Sequence, residues 1–162
     1  MVTPGHAPAA GAEQRLKDLD ITLPPPPTPF GAYVEAVQIG RLLFLSGMLP
    51  VVDRKPQFIG RLGGELSVEE GRKAAELAAL SALAAVREHL GSLDKVTGVA
   101  KLGVYIATAG ASAITRKSPA GLPKCSLKVF GPEMLSGRIV LGVASLPLGL
   151  PVEVELVLEA VA

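Results

Sequence analysis

The chain has 162 residues, 49% of them hydrophobic and 19% charged, which supports one domain with a substantial core and excludes a disordered chain. Its 16 basic and 15 acidic residues are interspersed and leave a net charge of +1, so no basic field argues for nucleic acid as a partner. Aromatics make up only 4% and Trp is absent, so the core must be built from Leu, Val, Ile and Ala.

Residues 1–11 are rich in Ala, Gly and Pro and are expected to fray. No Lys/Arg followed by an apolar stretch stands there, so no secretory signal is expected. Glu13 to Leu19 suits a short helix, ended by Pro24-Pro25-Pro26-Pro27, which must be extended. The tetraproline reads as a spacer or pin for an N-terminal arm over residues 1–28. Residues 29–162 then form a single domain.

Tyr33 to Gln38 alternates as a strand, Ile39-Gly40-Arg41 offers a tight turn, and Leu42 to Leu45 completes a hairpin. Ser46-Gly47 breaks the pattern. Residues 50–64, with two prolines and three glycines, predict an irregular loop or a short hairpin. Ser67-Val68-Glu69-Glu70 has the form of a capping box, so a helix is predicted from Val68 to Leu90, stopping at Gly91. Leu77, Leu80, Leu83, Val86 and Leu90 mark its apolar face. His89 near the helix C-terminus reads as a surface residue favoured by the dipole.

Val96 to Thr108 is strand-like, and Gly110 to Pro123 carries no clear signal. Cys125, the single cysteine, excludes an intramolecular disulfide and reads as a packing residue; it fits a reducing, cytoplasmic location. His6 and His89 lie far apart with no CxxC, HxH or HExxH, so no metal site is expected. Ser126 to Phe130 suits a helix or an extended segment. No uncharged apolar run approaches the ~20 residues of a membrane span, so no membrane partner is expected. One helix layer against one sheet makes the class α+β.

The stretch Gly137 to Pro147, followed by Pro151 to Leu158, reads as two apolar strands joined by a Pro/Gly turn. Each carries a charge that burial makes expensive: Arg138 on the first and Glu153 on the second. On pattern alone Arg138 is a solvated strand edge, a partner of Glu153 in an ion pair, or a ligand anchor. Glu153 reads equally as an outward strand residue beside Glu155 and Glu159.

Pro29 to Val37, Gly40 to Gly47, Arg138 upstream of Leu146-Pro147, and Val152-Glu153-Val154-Glu155 together resemble the YjgF/RidA family, in particular its longer branch, sometimes labelled L-PSP endoribonuclease-like. The resemblance covers about residues 13–107 and 129–161. It implies a chorismate-mutase-like fold, a mixed sheet with helices on one face, and a homotrimer with pockets at the subunit interfaces. It further implies hydrolysis, without cofactor, of reactive enamine or imine acids such as 2-iminopropanoate to 2-keto acids and ammonia.

Carried over by position, Arg138 would hold a small substrate's carboxylate and Glu153 would stand near the attacking water. Tyr33, Ser46, Gly47 and Val140 would line the site. The residue types suit these tasks, since a guanidinium grips a carboxylate with two parallel hydrogen bonds and a carboxylate orients water and moves protons. Met48 stands where the family commonly has Gln, Val140 where some members have Cys, and residues 108–128 depart from the family pattern. These departures motivate an alternative, a non-catalytic trimer that binds small carboxylates. A ribonuclease fits least, given the +1 charge and the lack of a histidine pair.

Overall fold

A computed structural model of the chain describes residues 11–110, 126–131, 134 and 136–161. Its longest helix, α2 (Val68–Leu90), begins where the predicted box places it: Ser67 Oγ accepts the Glu70 N–H at 3.2 Å, and Glu70 Oε2 accepts the Ser67 N–H at 2.8 Å. Gly91 ends it in the left-handed region, φ 81°, donating to Arg87 O at 2.7 Å.

The sheet holds five strands in the order β1 (Ala36–Ile39), β2 (Leu42–Leu45), β7 (Val152–Ala160), β5 (Val96–Ala107), β6 (Gly137–Val143). All neighbours are antiparallel except β5 and β6. A separate hairpin pairs β3 (Val51–Val52) with β4 (Lys55–Pro56) through Asp53 and Arg54, both at positive φ as a type I′ turn requires. The class is α+β with a mixed sheet, as expected. Ser126–Phe130 is a 3₁₀ turn. Residues 111–125, with Cys125, lie outside the described residues.

One face of the sheet is buried against α2. The inward residues of β7 (Val152, Val154, Leu156, Leu158, Ala160) are all essentially inaccessible and alternate with half-exposed ones, the period-2 pattern of a strand buried on one side. The helix meets them chiefly through Ala74, Ala75, Ala78, Ala79 and Ala82 together with Leu83 and Val86. Leu77 and Leu80, expected on the apolar face, are only half-buried. Small side chains let the helix backbone approach the sheet closely, and the larger leucines fall on the flanks of that contact.

The short helix α1 (Ala12–Asp18) joins the same core through Ala12 and Leu16. Its Glu13 carboxylate accepts from Arg87 Nε at 3.0 Å, from Arg87 Nη2, and from the Leu93 N–H at 2.9 Å. The Arg87 hydrogen bond first, then that of Leu93, holds the Glu13 carboxyl below its ordinary value despite partial burial. His89 is exposed and meets Gln38 Oε1 of β1 at 3.2 Å, the surface role predicted for it. No helix among the described residues is long and apolar enough to cross a membrane.

The alanine contact sets a clear expectation. Ala78→Leu should cost roughly 1–3 kcal/mol by overpacking, read as a lower urea midpoint with an unchanged denaturant slope. An unaltered midpoint would mean that the helix–sheet spacing is not set there.

Candidate functional site

Past the end of β2 the chain gains one residue on its partner. The register of β2 on β7 pairs Phe44 with Val157 and resumes at Met48 with Val154, four steps against three. The extra residue is absorbed at Ser46-Gly47, a β-bulge that re-aims the strand end. Met48 closes it with two backbone bonds to Val154, at 2.7 and 2.9 Å. Ser46 ties in the segment before β1, donating its N–H to Glu35 O at 2.9 Å and its hydroxyl to Val34 O at 2.6 Å. The first of these bonds continues the β1–β2 register by one step, but the regular strand starts at Ala36, so Tyr33–Glu35 lie outside it, contrary to the expected start at Tyr33.

The bulge brings the Gly47 backbone against the Glu153 carboxyl. A Cβ at Gly47 would overlap Glu153 Oε1, so glycine is what makes room for this side chain. Three carboxylates stand on this outer face of β7, and each is handled differently. Glu159 pairs with Arg41 at 3.3 Å, and Glu155 accepts from Lys101 Nζ at 3.3 Å and the Tyr105 hydroxyl at 2.8 Å. Glu153 has no cation or donor among the described residues. Burial pushes its carboxyl up, and the neighbouring Glu155 charge adds to the shift.

Glu153 faces a cavity of about 480 Å³ that also touches Tyr33, Ser46, Gly47, Phe30 and Leu148. Tyr33 is 46% exposed, and its hydroxyl accepts the Phe30 N–H at 3.1 Å, folding the ring over the loop. Leu148, with φ 58°, stands in the left-handed region that costs a residue with a Cβ roughly 1–2 kcal/mol. Its part in the cavity wall could not be read from a Pro-Leu-Gly turn. Phe30 and Leu49 were likewise not singled out, because loop neighbours of a site have no period to betray them.

Four of the expected site residues, Tyr33, Ser46, Gly47 and Glu153, therefore come together. Arg138 and Val140 do not join them within one chain. Arg138 pairs in register with Leu102 of β5 and Glu153 with Tyr105, one residue on the helix side of the sheet and the other on the outer side. Opposite faces exclude, within one chain, the Arg138–Glu153 ion pair left open by the sequence. Arg138 is exposed on the edge strand, and Val140 packs against the core. Met48 is buried, so this position contributes an apolar filler in place of an amide.

Two measurements follow from the glycine–carboxylate contact. Gly47→Ala should destabilise the fold, and Glu153→Ala in the same chain should remove most of that cost; a double-mutant coupling of roughly 0.5–3 kcal/mol is expected, whereas additive effects would place the contact elsewhere. In the unfolded chain Glu153 returns to its ordinary value, so the folded state holds the proton more tightly. Stability is then lost as pH rises from the ordinary carboxylate value through the raised one. Glu153→Gln should raise the melting temperature at neutral pH, with the gain vanishing below the ordinary carboxylate value. A gain that persists there would refute the linkage.

No family model matches the chain. Protein TCP17 of Trypanosoma cruzi is 37% identical over 145 residues, 89% of this chain and 91% of that protein. A candidate endoribonuclease of Shewanella oneidensis superposes with a TM-score of 0.84 at 27% identity, covering 93% of this chain and 99% of the other. The Agrobacterium tumefaciens protein Atu1372, of unknown function, superposes with a TM-score of 0.77 at 32% identity, covering 92% and 91%. RidA of an Antarctic Psychrobacter shares the fold, with a TM-score of 0.57 at 23% identity over 83% of this chain and 93% of that one. With relatives 37% and 32% identical over 91% of their own length and a shared fold at a TM-score of 0.84, the chain belongs to the YjgF/RidA family.

Proposed function

We propose that the protein hydrolyses reactive enamine or imine acids to 2-keto acids and ammonia. The observation that carries this reading is Glu153, a half-buried carboxylate with no described partner, seated on a glycine and facing a cavity. Burial, with the Glu155 charge, raises its carboxyl above the ordinary carboxylate value, the direction a general acid–base requires. As water attacks the imine carbon, Glu153 takes the water proton. It passes that proton to nitrogen, giving the carbinolamine; it then takes the carbinolamine hydroxyl proton and delivers it to the same nitrogen, so that the C–N bond breaks, the carbonyl forms and ammonia leaves. An imine already carries an electrophilic carbon, so positioning and proton transfer supply most of what the reaction requires.

The carboxylate anchor comes in this reading from a second copy of the chain. Arg138 sits exposed on edge strand β6, away from the Glu153 cavity, and is free to reach a neighbour's. The outer sheet face favours such assembly: Val37, Ile39, Leu42 and Phe44 on β1–β2 and Ile139 and Leu141 on β6 are all 39% or more exposed. Apolar surface of this extent is normally covered, and a closed ring of three copies would cover it and complete the site. A non-catalytic carboxylate-binding trimer is the second reading, favoured by Met48, whose buried thioether offers no polar group beside Gly47. RNA cleavage fits least, because Glu153, Glu155 and Glu159 share the outer face of β7 and would repel phosphate.

Freshly generated 2-iminopropanoate should release ammonia faster with the protein present. Arg138→Ala should remove the acceleration chiefly through KM, and Glu153→Gln should lower kcat by roughly 10²–10⁴-fold while a 2-keto acid still binds. Full turnover in both variants would overturn the assignment. Binding of 2-ketobutyrate without turnover of any imine would establish the second reading. Light scattering should give the mass of three chains, and a monomer would remove the shared site.

A further inference from the structure

Behind Gly47 lies a second cavity, of about 400 Å³, that the proposed reaction does not use. It shares Phe30, Tyr33, Gly47 and Leu49 with the Glu153 cavity, so these residues form the wall between the two. Its roof is the tetraproline, Pro24 to Pro27; Met48 and Ser81 of α2 lie at its depth.

The roof is held shut by the turn between β3 and β4. Arg54 Nη1 donates to Thr28 Oγ1 at 3.3 Å and to Pro29 O at 3.2 Å, and the guanidinium lies 5.0 Å from the centre of the Phe30 ring. Arg54 is thus held in place by neutral groups of the arm. Glu35 is the other ionisable group of the inner wall, with Asp53 at the rim. No described residue bonds or pairs with the Glu35 carboxylate, and burial alone pushes its carboxyl up. The cavity therefore holds two carboxylates against one cation. Its remaining surface is proline rings, Phe30, Tyr33, Met48, Leu49 and two valines.

We propose that this cavity is a binding site for an organic ammonium ion. The amine sits at the Glu35 carboxylate, where it replaces lost hydration with a charge-assisted bond. The apolar body of the ligand lies along Pro24–Pro27, whose fixed rings bury surface with little entropy to lose. The aromatic faces of Phe30 and Tyr33 attract the same cation and repel an anion. An anionic ligand of equal size would meet two carboxylates, Glu35 and Asp53, against the single Arg54 cation, so the site discriminates by charge. It stands apart from the imine chemistry and persists as a binding site whether or not that reading holds.

The probe is n-hexylammonium, titrated by calorimetry into the full chain, with n-hexanol and hexanoate as the matched neutral and anionic probes. Hexylammonium should bind at least tenfold more tightly than hexanol, and hexanoate should not bind. Glu35→Gln should weaken hexylammonium about tenfold and leave hexanol unchanged, while Glu159→Gln, at the far end of β7, should keep the full affinity. The Met48 methyl resonance should shift on titration, since that side chain lines this cavity. Equal binding of hexanol and hexylammonium, or an unmoved Met48 signal at saturation, would overturn the proposal. The comparison among the three probes uses the unaltered protein and so decides even if Glu35→Gln does not fold.

Discussion

Strand β7 imposes the constraint on which the rest of the molecule depends. Its five inward positions are apolar and closed by α2, while its outward positions carry Glu153, Glu155 and Glu159. A central strand cannot hold three carboxylates on one face without relieving each of them. The fold supplies Arg41 to the third and Lys101 with Tyr105 to the second. For the first it supplies only space, through a bulge and a glycine on the neighbouring strand. The Tyr105 hydroxyl feels the cost of this arrangement: its hydrogen bond to Glu155, then burial and the nearby carboxylate charges, push its acidity down and its pKa up. The one carboxylate left without neutralisation is the one that faces a cavity, the pattern expected of a group kept for a ligand.

The bulge also divides the interior of this end of the molecule. Gly47 stands between two cavities, with Glu153 on one side and Glu35 on the other. Both carboxyls are raised by burial, and at Glu153 alone a neighbouring charge, that of Glu155, adds to the shift. The arm is fixed at both ends, by Glu13–Arg87 on α1 and by Arg54 beyond the prolines. A segment that reads as a mere spacer thus becomes a wall.

What was legible in the sequence was what local chemistry dictates. The ends of α2 followed from Ser67, Glu70 and Gly91, and the inward face of β7 followed from strict alternation. The depth of α2 was less legible, because leucines mark the apolar side of a helix but alanines mark where it touches. The bulge was invisible, since an extra residue exists only relative to the strand it pairs with. The separation of Arg138 from Glu153 was hidden for the same reason: their faces are fixed by register on β5, which neither residue contains. Glu35 reads as an ordinary strand residue, because the cavity it faces is closed by the distant proline arm and β3–β4 turn, which no local pattern announces.

The strand order has a consequence for how such a chain is made. Strand β7 is the last in sequence and yet lies between β2 and β5, so both of these strands reach the ribosome exit before the partner they share exists. The β1–β2 hairpin and β5 must wait, with α2 held between them and its alanine stripe uncovered. Most of the sheet's pairing is long-range and forms in one late step, which slows folding and lengthens the exposure of apolar edges during synthesis. A nascent chain stalled short of Val152 would carry two unconnected halves of a sheet, and its vulnerability to aggregation would end only with the final strand.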